Sequence, residues 1–199
     1  MTRPLHLLAL FGFSFASLTF ANPGNEGAGD LLLHDFEKAA ESGRQWKTVN
    51  DNVMGGRSKG GPSFAKGKLT FSGTINTNGG GFSSIRTNPA PVDLSGYAGL
   101  LMRIKSDGRG YTTSIRTKAS RGSWKTPFRA AFKAPANEWA TVFIPFSDFK
   151  PTMFGNRMTK NAPRLDVSDF QSVGFHLYDK KDGPFKLEVD WIKAVKEAP

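Results

Sequence analysis

Side chains that could bind a ligand are concentrated in residues 45–58, which read QWKTVNDNVMGGRS. Asp51 can accept hydrogen bonds from sugar hydroxyls or bind a cation, Met54 can pack against an apolar face, and Arg57 can hold an anion. The asparagine, aspartate and glycine residues here are also those that a sharp turn requires. We therefore interpret the segment first as a tightly specified turn and second as a ligand loop.

Arg86 is another candidate, on a predicted strand that follows three consecutive glycines. It shares a strand face with Phe82 and Ser84, where a covered guanidinium group needs a carboxylate or a ligand anion. Two interpretations are equally open from the sequence. Arg86 either forms a structural ion pair, with Asp51 or Asp107 as partner, or it binds a ligand.

Residues 107–111 and one tryptophan complete the binding candidates. Asp107-Gly108 supplies the positive φ of a tight turn, which predicts a hairpin between residues 102–105 and 111–115. Arg109 and Tyr111 beside this turn are candidates for contact with a partner. Trp124 is the one tryptophan that is a clear candidate for stacking on a sugar. The other three tryptophans are predicted to be core residues: Trp46, Trp139 and Trp191.

The residue types give little support for a catalytic function. The chain has no cysteine, which removes thiolate nucleophiles and thiolate metal sites. His34 and His176 lack metal-site spacing, and His176 is expected to be exposed. Glu188 and Asp190 share a strand face that would suit acid–base work on a glycoside, but alternating polar residues on a solvated strand are the ordinary explanation. We expect no enzyme, no catalytic residue, no metal site and no cofactor.

Basic residues outnumber acidic residues by 27 to 17, and residues 103–133 carry much of the excess. This stretch has nine basic residues and a single acid, Asp107. Three pairs of basic residues are each predicted to lie opposite the apolar face of their strand: Arg103 with Lys105, Arg116 with Lys118, and Arg129 with Lys133. If these strands share a sheet, the side chains form a basic face for anionic lipid, acidic polysaccharide or an acidic protein patch. An ordinary solvated face is the alternative, because consecutive jelly-roll strands often belong to different sheets.

The elements that must position these residues are strands. From residue 31 onward, apolar and polar residues alternate with a period of two between clusters of turn residues, which is typical of half-buried strands. Ten segments show the pattern: 32–36, 46–50, 68–75, 82–87, 100–105, 111–118, 128–133, 138–144, 170–178 and 185–195. Without crossover helices they predict an all-β, two-sheet antiparallel sandwich of jelly-roll type, as a single domain over residues 31–196. Residues 150–169 are predicted to form a loop that caps one end.

The first 30 residues are predicted to lie outside that domain. Residues 1–21 combine Arg3, an apolar stretch and small residues before Asn22, in the order of a secretory signal peptide. We expect cleavage after Ala21, with Ser14 and Ala16 marking a second option, and a flexible tether over residues 22–30. An uncleaved anchor is the alternative, although the apolar stretch is short for a membrane span. The expected location is periplasmic or secreted, which disfavours nucleic acid as a partner.

Five separate motifs make the chain similar to one known family. In chain order they cover residues 45–58, 79–86 (GGGFSSIR), 106–111 (SDGRGY), 144–146 (IPF) and 183–185 (GPF). With these motifs the sequence resembles the complex I intermediate-associated protein 30 family from about residue 33 to residue 193. The resemblance implies a galactose-binding-like β-sandwich, related in shape to carbohydrate-binding modules. It also implies a relationship to mitochondrial assembly factors that hold partly built respiratory complex I.

Two functions are compatible with these observations. The first is a non-catalytic, exported assembly factor that binds a protein partner in or near a membrane complex such as complex I. The second is a periplasmic carbohydrate-binding module of the galactose-binding-like type, which the scarcity of stacking aromatic residues disfavours. The candidate binding residues are the same for both: Asp51, Met54, Arg57, Arg86, Arg109, Tyr111 and Trp124.

Overall fold

The computed structural model describes residues 29–37, 45–118, 126–153, 156–159 and 162–199. The strands in these ranges are β1 (Leu31–Asp35), β2 (Trp46–Asn50), β3 (Lys59–Ala65), β4 (Lys68–Ile75), β5 (Ser83–Thr87), β6 (Gly99–Ser106), β7 (Tyr111–Thr117), β8 (Phe128–Ala131), β9 (Trp139–Pro145), β10 (Lys150–Met153), β11 (Asn156–Arg157), β12 (Phe170–Leu177) and β13 (Gly183–Val195). Short 3-10 helices lie at Asp51–Met54, Phe146–Asp148 and Val167–Asp169. The predicted signal peptide and most of the predicted tether, residues 1–28, lie outside the described residues.

The strands form two antiparallel sheets. One has six strands, in the order β3-β4-β13-β6-β9, with β1 pairing along the second half of β13. The other has seven strands, in the order β11-β10-β8-β7-β12-β5-β2. Sequence neighbours such as β6 and β7 lie in different sheets, as jelly-roll strands do. The prediction of an all-β, two-sheet antiparallel sandwich is confirmed.

The core lies between the inner faces of the two sheets, where alternate residues of each strand meet. In β4 the predicted apolar face is buried, with Leu69, Phe71 and Ile75 each at most 1% exposed. Phe71 packs edge-to-face on Phe185, with ring centroids 4.8 Å apart. Burying one such side chain stabilises the fold by about 1.5–3 kcal/mol relative to exposing it. The intervening residues point away from the core, so each sheet presents an outer face to partners.

The predicted tryptophan positions are correct only for Trp46, which is buried in the core. Trp139 and Trp191 are half-buried, and each has a cation beside its ring. Arg103 lies 5.8 Å from the centroid of a Trp139 ring, and Lys193 lies 5.0 Å from that of Trp191. These two tryptophans therefore belong to the partly covered surface of the six-stranded sheet, where cations shield their rings.

Alternation alone misses two regions of strand. β3 reads KGGPSFA, in which two glycines and Pro62 conceal the pattern. This strand lies at the edge of its sheet, where proline is tolerated because one side of the strand needs no ladder hydrogen bonds. β10 and β11 fall within the predicted loop over residues 150–169, which is therefore wrong at 150–153 and 156–157. Pairing of β10 with β8 widens the seven-stranded sheet.

The predicted hairpin at Asp107-Gly108 is wrong, because β6 and β7 belong to different sheets. Gly108 adopts the expected positive φ, 83°, so the dipeptide does form a turn. The Asp107 carboxylate accepts hydrogen bonds from the amides of Arg109 at 3.0 Å and Lys186 at 2.7 Å. These bonds fasten the turn to β13 while the chain crosses from one sheet to the other.

Candidate binding site on the seven-stranded sheet

A row of basic residues crosses the outer face of the seven-stranded sheet at right angles to its strands. Residues directly opposite each other in antiparallel strands lie on the same sheet face. Successive pairs carry the row through Lys47, Arg86, Gly174, Ser114, Arg129 and Lys150. Four of these six positions are basic, and the two in the middle are small. We call the four basic residues the basic row.

Arg116 stands next to the basic row, two residues beyond Ser114 along β7. Burial, together with the charges of Arg86 and Arg129, lowers the pKa of Arg116 to about 10. Burial also lowers the pKa of Arg129. The guanidinium groups are thus partly removed from water and close enough to repel one another, which favours the binding of an anion.

His176 lies on β12, two residues beyond Gly174 of the row. It is only 7% exposed, so the prediction of an exposed histidine is wrong. Alternation places it on the outer face correctly, but aromatic neighbours cover it. The ring centroids of Phe82 and Tyr178 lie 5.7 Å and 6.2 Å from that of His176. Burial, and secondly the charge of Arg129, lowers the pKa of His176 to about 3. The imidazole is therefore neutral at pH 7.

A groove of about 510 Å³ lies beside His176 on this sheet face. Four exposed apolar side chains contribute to its lining: Val53, Met54, Met153 and Tyr178. Two pockets of about 270 and 260 Å³ share lining residues with it: the first contains Lys47 and Arg86, and the second contains Arg129 and Lys150. No aspartate or glutamate among the described residues lines any of the three. We call the three depressions together the basic groove.

The loop after β2 is held by the carboxylate of Asp51, which is fully buried. It accepts hydrogen bonds from the Ser58 hydroxyl at 2.6 Å, the Ser58 amide at 2.9 Å and the Gly81 amide at 2.6 Å. Burial raises the pKa of Asp51, but these hydrogen bonds outweigh burial and bring the pKa below its ordinary value. A Cβ on Gly56 or Gly80 would lie within 3 Å of the Asp51 side chain. The carboxylate therefore joins two turns and is not presented to a ligand.

Arg109 and Tyr111, two of the predicted binding residues, are half-buried and buried, respectively, and both contact other parts of the chain. Arg109 forms a bidentate ion pair with Asp179, with Nε–Oδ2 and Nη2–Oδ1 distances of 2.9 and 2.7 Å. This hydrogen-bonded pairing raises the pKa of Arg109. Tyr111 is 1% exposed and stacks on Phe132. We correct the assignment of both residues, because their side chains are used within the chain.

The predicted basic face is divided between the two sheets, because β6 and β7 do not share a sheet. Arg103 and Lys105 lie on the six-stranded sheet, where Arg103 pairs with Asp190 at 3.2 Å. Arg116 and Arg129 lie on the seven-stranded sheet and line the basic groove. The continuous face of six residues is therefore wrong, and only part of it contributes to the groove.

The remaining predicted residues take different positions. Lys118 lies just beyond β7 and lines one adjoining pocket, whereas Lys133 lies beyond β8 and lines none of the three depressions. Met54 lines the groove, and Arg57 is exposed outside it. The ion pairs found among the described residues do not include Arg86, so its proposed pairing with Asp51 or Asp107 is not formed. Trp124 lies outside the described residues.

Several groove residues are not found by reading the sequence. They are Lys47, Val53, Lys150, Met153 and Tyr178. Lys47 and Lys150 are far apart in the chain and meet one row only through strand pairing. The sequence does offer a signal for Lys47: it follows the apolar Trp46 in a strand, and because Trp46 is buried, Lys47 faces outward.

The paired carboxylates considered for glycoside chemistry are both used in ion pairs. Glu188 accepts from Lys186 at 3.1 Å, and Asp190 pairs with Arg103. Within the described ranges, no group of three or more His, Asp or Glu side chains is arranged to hold a metal ion. The same part of the chain has no helix with the length and apolar character that crossing a membrane requires.

Solved structures with a similar fold are carbohydrate-binding modules and domains of larger enzymes. A family 11 carbohydrate-binding module from Clostridium thermocellum has a TM-score of 0.62 and 22% identity, over 83% of this chain and 95% of that one. An agarase has a TM-score of 0.58 and 10% identity, over 85% of this chain and 25% of the enzyme. At these identities the similarity shows the shared β-sandwich fold and no more.

Curated relatives give a more specific result. Complex I intermediate-associated protein 30 of Neurospora crassa is 30% identical over 125 residues, covering 59% of this chain and 44% of that protein. Its Mus musculus namesake is 34% identical over 102 residues, covering 50% of this chain and 31% of that protein. The protein of the same name from Drosophila melanogaster is 27% identical over 184 residues, covering 81% of this chain and 61% of that protein. The chain thus spans less than half the length of the Neurospora and mouse relatives.

All three relatives are named as mitochondrial proteins. These names contradict the expectation of a periplasmic or secreted protein, and with it the signal-peptide interpretation of residues 1–21. We therefore withdraw the expected periplasmic or secreted location.

The model of the complex I intermediate-associated protein 30 family matches residues 34–189. This range contains both sheets almost entirely, as well as the basic row and the loop held by Asp51. The resemblance inferred from the five motifs is confirmed: the chain belongs to the complex I intermediate-associated protein 30 family.

Proposed function

We propose that this chain is a non-catalytic binding protein that assists the assembly of a membrane-associated complex of the respiratory complex I type. Family membership and the names of the curated relatives support this function. The observation that carries it is the basic groove, where arginine side chains and exposed apolar side chains occupy one concave surface. Arginine, methionine and aromatic residues are the types enriched at the centres of protein interfaces.

A non-catalytic role is supported by the ionisable groups of the groove. Arginine remains protonated near neutral pH and cannot act as a general base there. His176, with its pKa lowered to about 3, is poorly matched to proton transfer at pH 7, because a general base works best when its pKa is near the working pH. We therefore propose recognition and not turnover.

The proposed partner is a protein in or near a membrane complex. An anionic lipid or an acidic polysaccharide is a narrower proposal for the same surface, and it is supported only by the positive charge. A sugar-binding role is the second candidate, favoured by the fold shared with carbohydrate-binding modules. Sugar sites usually stack pyranose rings on planar aromatic side chains. Of the four exposed apolar side chains that line this groove and form its apolar rim, three are methionine or valine: Val53, Met54 and Met153.

The test of the proposed function is deletion of the gene in cells that normally make the protein. Native gel electrophoresis then measures fully assembled complex I and its NADH dehydrogenase activity, with the restored gene as control. We expect a loss of the assembled complex and accumulation of partly built forms. Normal amounts of complex I in the deletion strain would contradict the proposal, and binding to a glycan array would favour the sugar-binding candidate.

A further inference from the structure

The described lining of the basic groove is rich in basic side chains and contains no acidic one. The basic row and Arg116 come together on one sheet face, and the groove lining among the described residues contains no carboxylate. A surface of this kind attracts an anion from outside the chain, because partly desolvated guanidinium groups gain most from charged acceptors.

The side chain of Arg129 includes one hydrogen-bond donor that has no acceptor among the described residues. Its Nη1 donates to the Thr152 hydroxyl at 3.1 Å. Its Nε is buried and has no acceptor among the described residues. A buried donor without an acceptor is costly, and guanidinium groups recognise carboxylates through two donors at once. The same side chain lines the groove, where its guanidinium group can donate to a carboxylate ligand.

The distance between Arg86 and Arg129 fits an extended peptide. They are three strand positions apart in the row, which is about 14 Å at about 4.8 Å per strand. The two residues between them in the row, Gly174 and Ser114, are small. An extended chain rises about 3.3 Å per residue, so residues i and i+4 are about 13 Å apart and lie on the same side. Two carboxylates with that spacing reach both arginines.

The apolar side chains that line the groove favour a peptide over a sugar, a phosphate group or a lipid bilayer as its ligand. Of the five large hydrophobic side chains that are exposed among the described residues, four line this one groove: Val53, Met54, Met153 and Tyr178. Sugars and phosphate groups gain little from methionine and valine, whereas apolar side chains of a peptide pack against them. The surface is also concave, and a flat bilayer does not enter a groove.

We propose that the basic groove binds an extended, acidic segment of a protein partner, with carboxylates four residues apart on Arg86 and Arg129 and apolar side chains against the rim. This inference rests on the proposed function and names the partner chemistry of that site. Lys47 and Lys150 at the ends of the row increase the association rate and the salt dependence. The neutral His176 lies between the charges and the aromatic rings and contributes no charge of its own.

The test uses the full chain and two synthetic nine-residue peptides. One has glutamates at positions 3 and 7 with leucines between serines, and the other has glutamines at those positions. We expect the glutamate peptide to bind more tightly by at least about tenfold and to lose affinity as salt rises. Arg86→Gln and Arg129→Gln are each expected to weaken binding about tenfold. The matched control is the double variant Lys59→Gln/Lys105→Gln, which removes two charges from the other sheet and is expected to bind as the parent does.

Two further variants test the same surface if an arginine variant does not fold. Lys47→Gln/Lys150→Gln changes only exposed side chains and is expected to reduce the salt dependence, and Met153→Ser is expected to weaken binding of the leucine-containing peptide. Equal binding of both peptides, or no effect of any groove variant, would overturn the inference. Preferential binding of phosphatidylglycerol vesicles or polygalacturonate over the peptide would overturn it in favour of a lipid or a polysaccharide. If peptide binding fails while gene deletion still abolishes complex I, this inference falls and the proposed function stands.

Discussion

The carboxylate of Asp51 lies 2.6 Å from the amide nitrogen of Gly81, although the two residues are 30 positions apart in the chain. This hydrogen bond, with those from Ser58, fastens the loop carrying Val53 and Met54 to the turn before β5. One wall of the basic groove is therefore fixed by a buried acid that does not itself line the groove. The residue that looks most like a ligand contact in the sequence is the one that builds the site.

Asp51→Asn is expected to lower the free energy of unfolding by about 2–3 kcal/mol. The amide replaces an acceptor by a donor where the neighbouring groups are donors, and buried donors without acceptors cost about 1–3 kcal/mol each. Urea unfolding measures the change. Asp93→Asn is the matched control, because Asp93 accepts from Ser95 in an exposed turn. Equal effects of the two substitutions would contradict the assigned role of Asp51.

Gly174→Ala is expected to destabilise the protein by about 2 kcal/mol or more, as overpacking does in closely fitted sites. A Cβ at this position would lie 2.3 Å from the carbonyl oxygen of Ile85, on the neighbouring strand. Gly96→Ala provides the control, since a Cβ there meets nothing within 4 Å. Thermal unfolding of both variants measures the difference, and an unchanged Gly174→Ala protein would mean that the two strands are not this close.

The ion pair between Arg109 and Asp179 is expected to contribute strongly to stability, because its side chains are only 12% and 10% exposed. Asp179→Asn leaves a guanidinium group without its charged partner and should cost about 3 kcal/mol. Glu188→Gln breaks the more exposed pair with Lys186 and should cost less than about 1 kcal/mol. Unfolding in urea distinguishes the two pairs, and similar small effects would show that the Arg109 pair is dispensable.

Mild acid is expected to destabilise the protein through its histidines. Burial lowers the pKa of His34 to about 4 and, with Arg129, that of His176 to about 3, from an ordinary value of 6.5. A group with a lowered folded-state pKa binds its proton more readily when unfolded, so stability is full above about pH 6.5 and declines as the pH falls toward 4 and 3. Each histidine should account for about 1–2 kcal/mol between pH 6.5 and 5.

The substitutions His34→Asn and His176→Asn separate this effect from the carboxylates. Asp51 and Asp179 also have lowered pKa values, but they bind protons only below about pH 4. In the double variant the free energy of unfolding should therefore be nearly constant between pH 6.5 and 5. A slope as steep as that of the parent protein would show that other groups cause the acid sensitivity.

Strand alternation was sufficient to predict the fold class because strands such as β4 and β7 bury every second residue, although β12 is buried on both faces. In β4 the predicted apolar residues are buried, and in β7 the buried residues alternate with half-buried ones, with Tyr111 buried against expectation. Alternation failed at β3, where Gly60, Gly61 and Pro62 replace the alternating side chains. Family motifs supplied what alternation lacked, namely which sandwich the strands form.

The site was only partly predictable, because it depends on which strands are neighbours. Arg86, Arg116 and Arg129 are visible in the sequence as outward-facing charges, but only the order β8-β7-β12-β5 brings them together. Arg103 has the same outward phasing and lies on the other sheet. Asp51 and Arg109 look like ligand contacts in the sequence, since a side chain that holds a loop and one that binds a ligand are chosen from the same residue types.

The central claim is that the outer face of the seven-stranded sheet serves assembly. Its most direct test is the amount of assembled complex I, measured by native gels, in cells whose only copy carries Arg86→Gln/Arg129→Gln. A parallel strain carries Lys59→Gln/Lys105→Gln, and both proteins are first shown to accumulate and to unfold at the parent temperature. We predict a clear loss of the assembled complex with the groove variant and normal levels with the control. Normal complex I in both strains would contradict the claim.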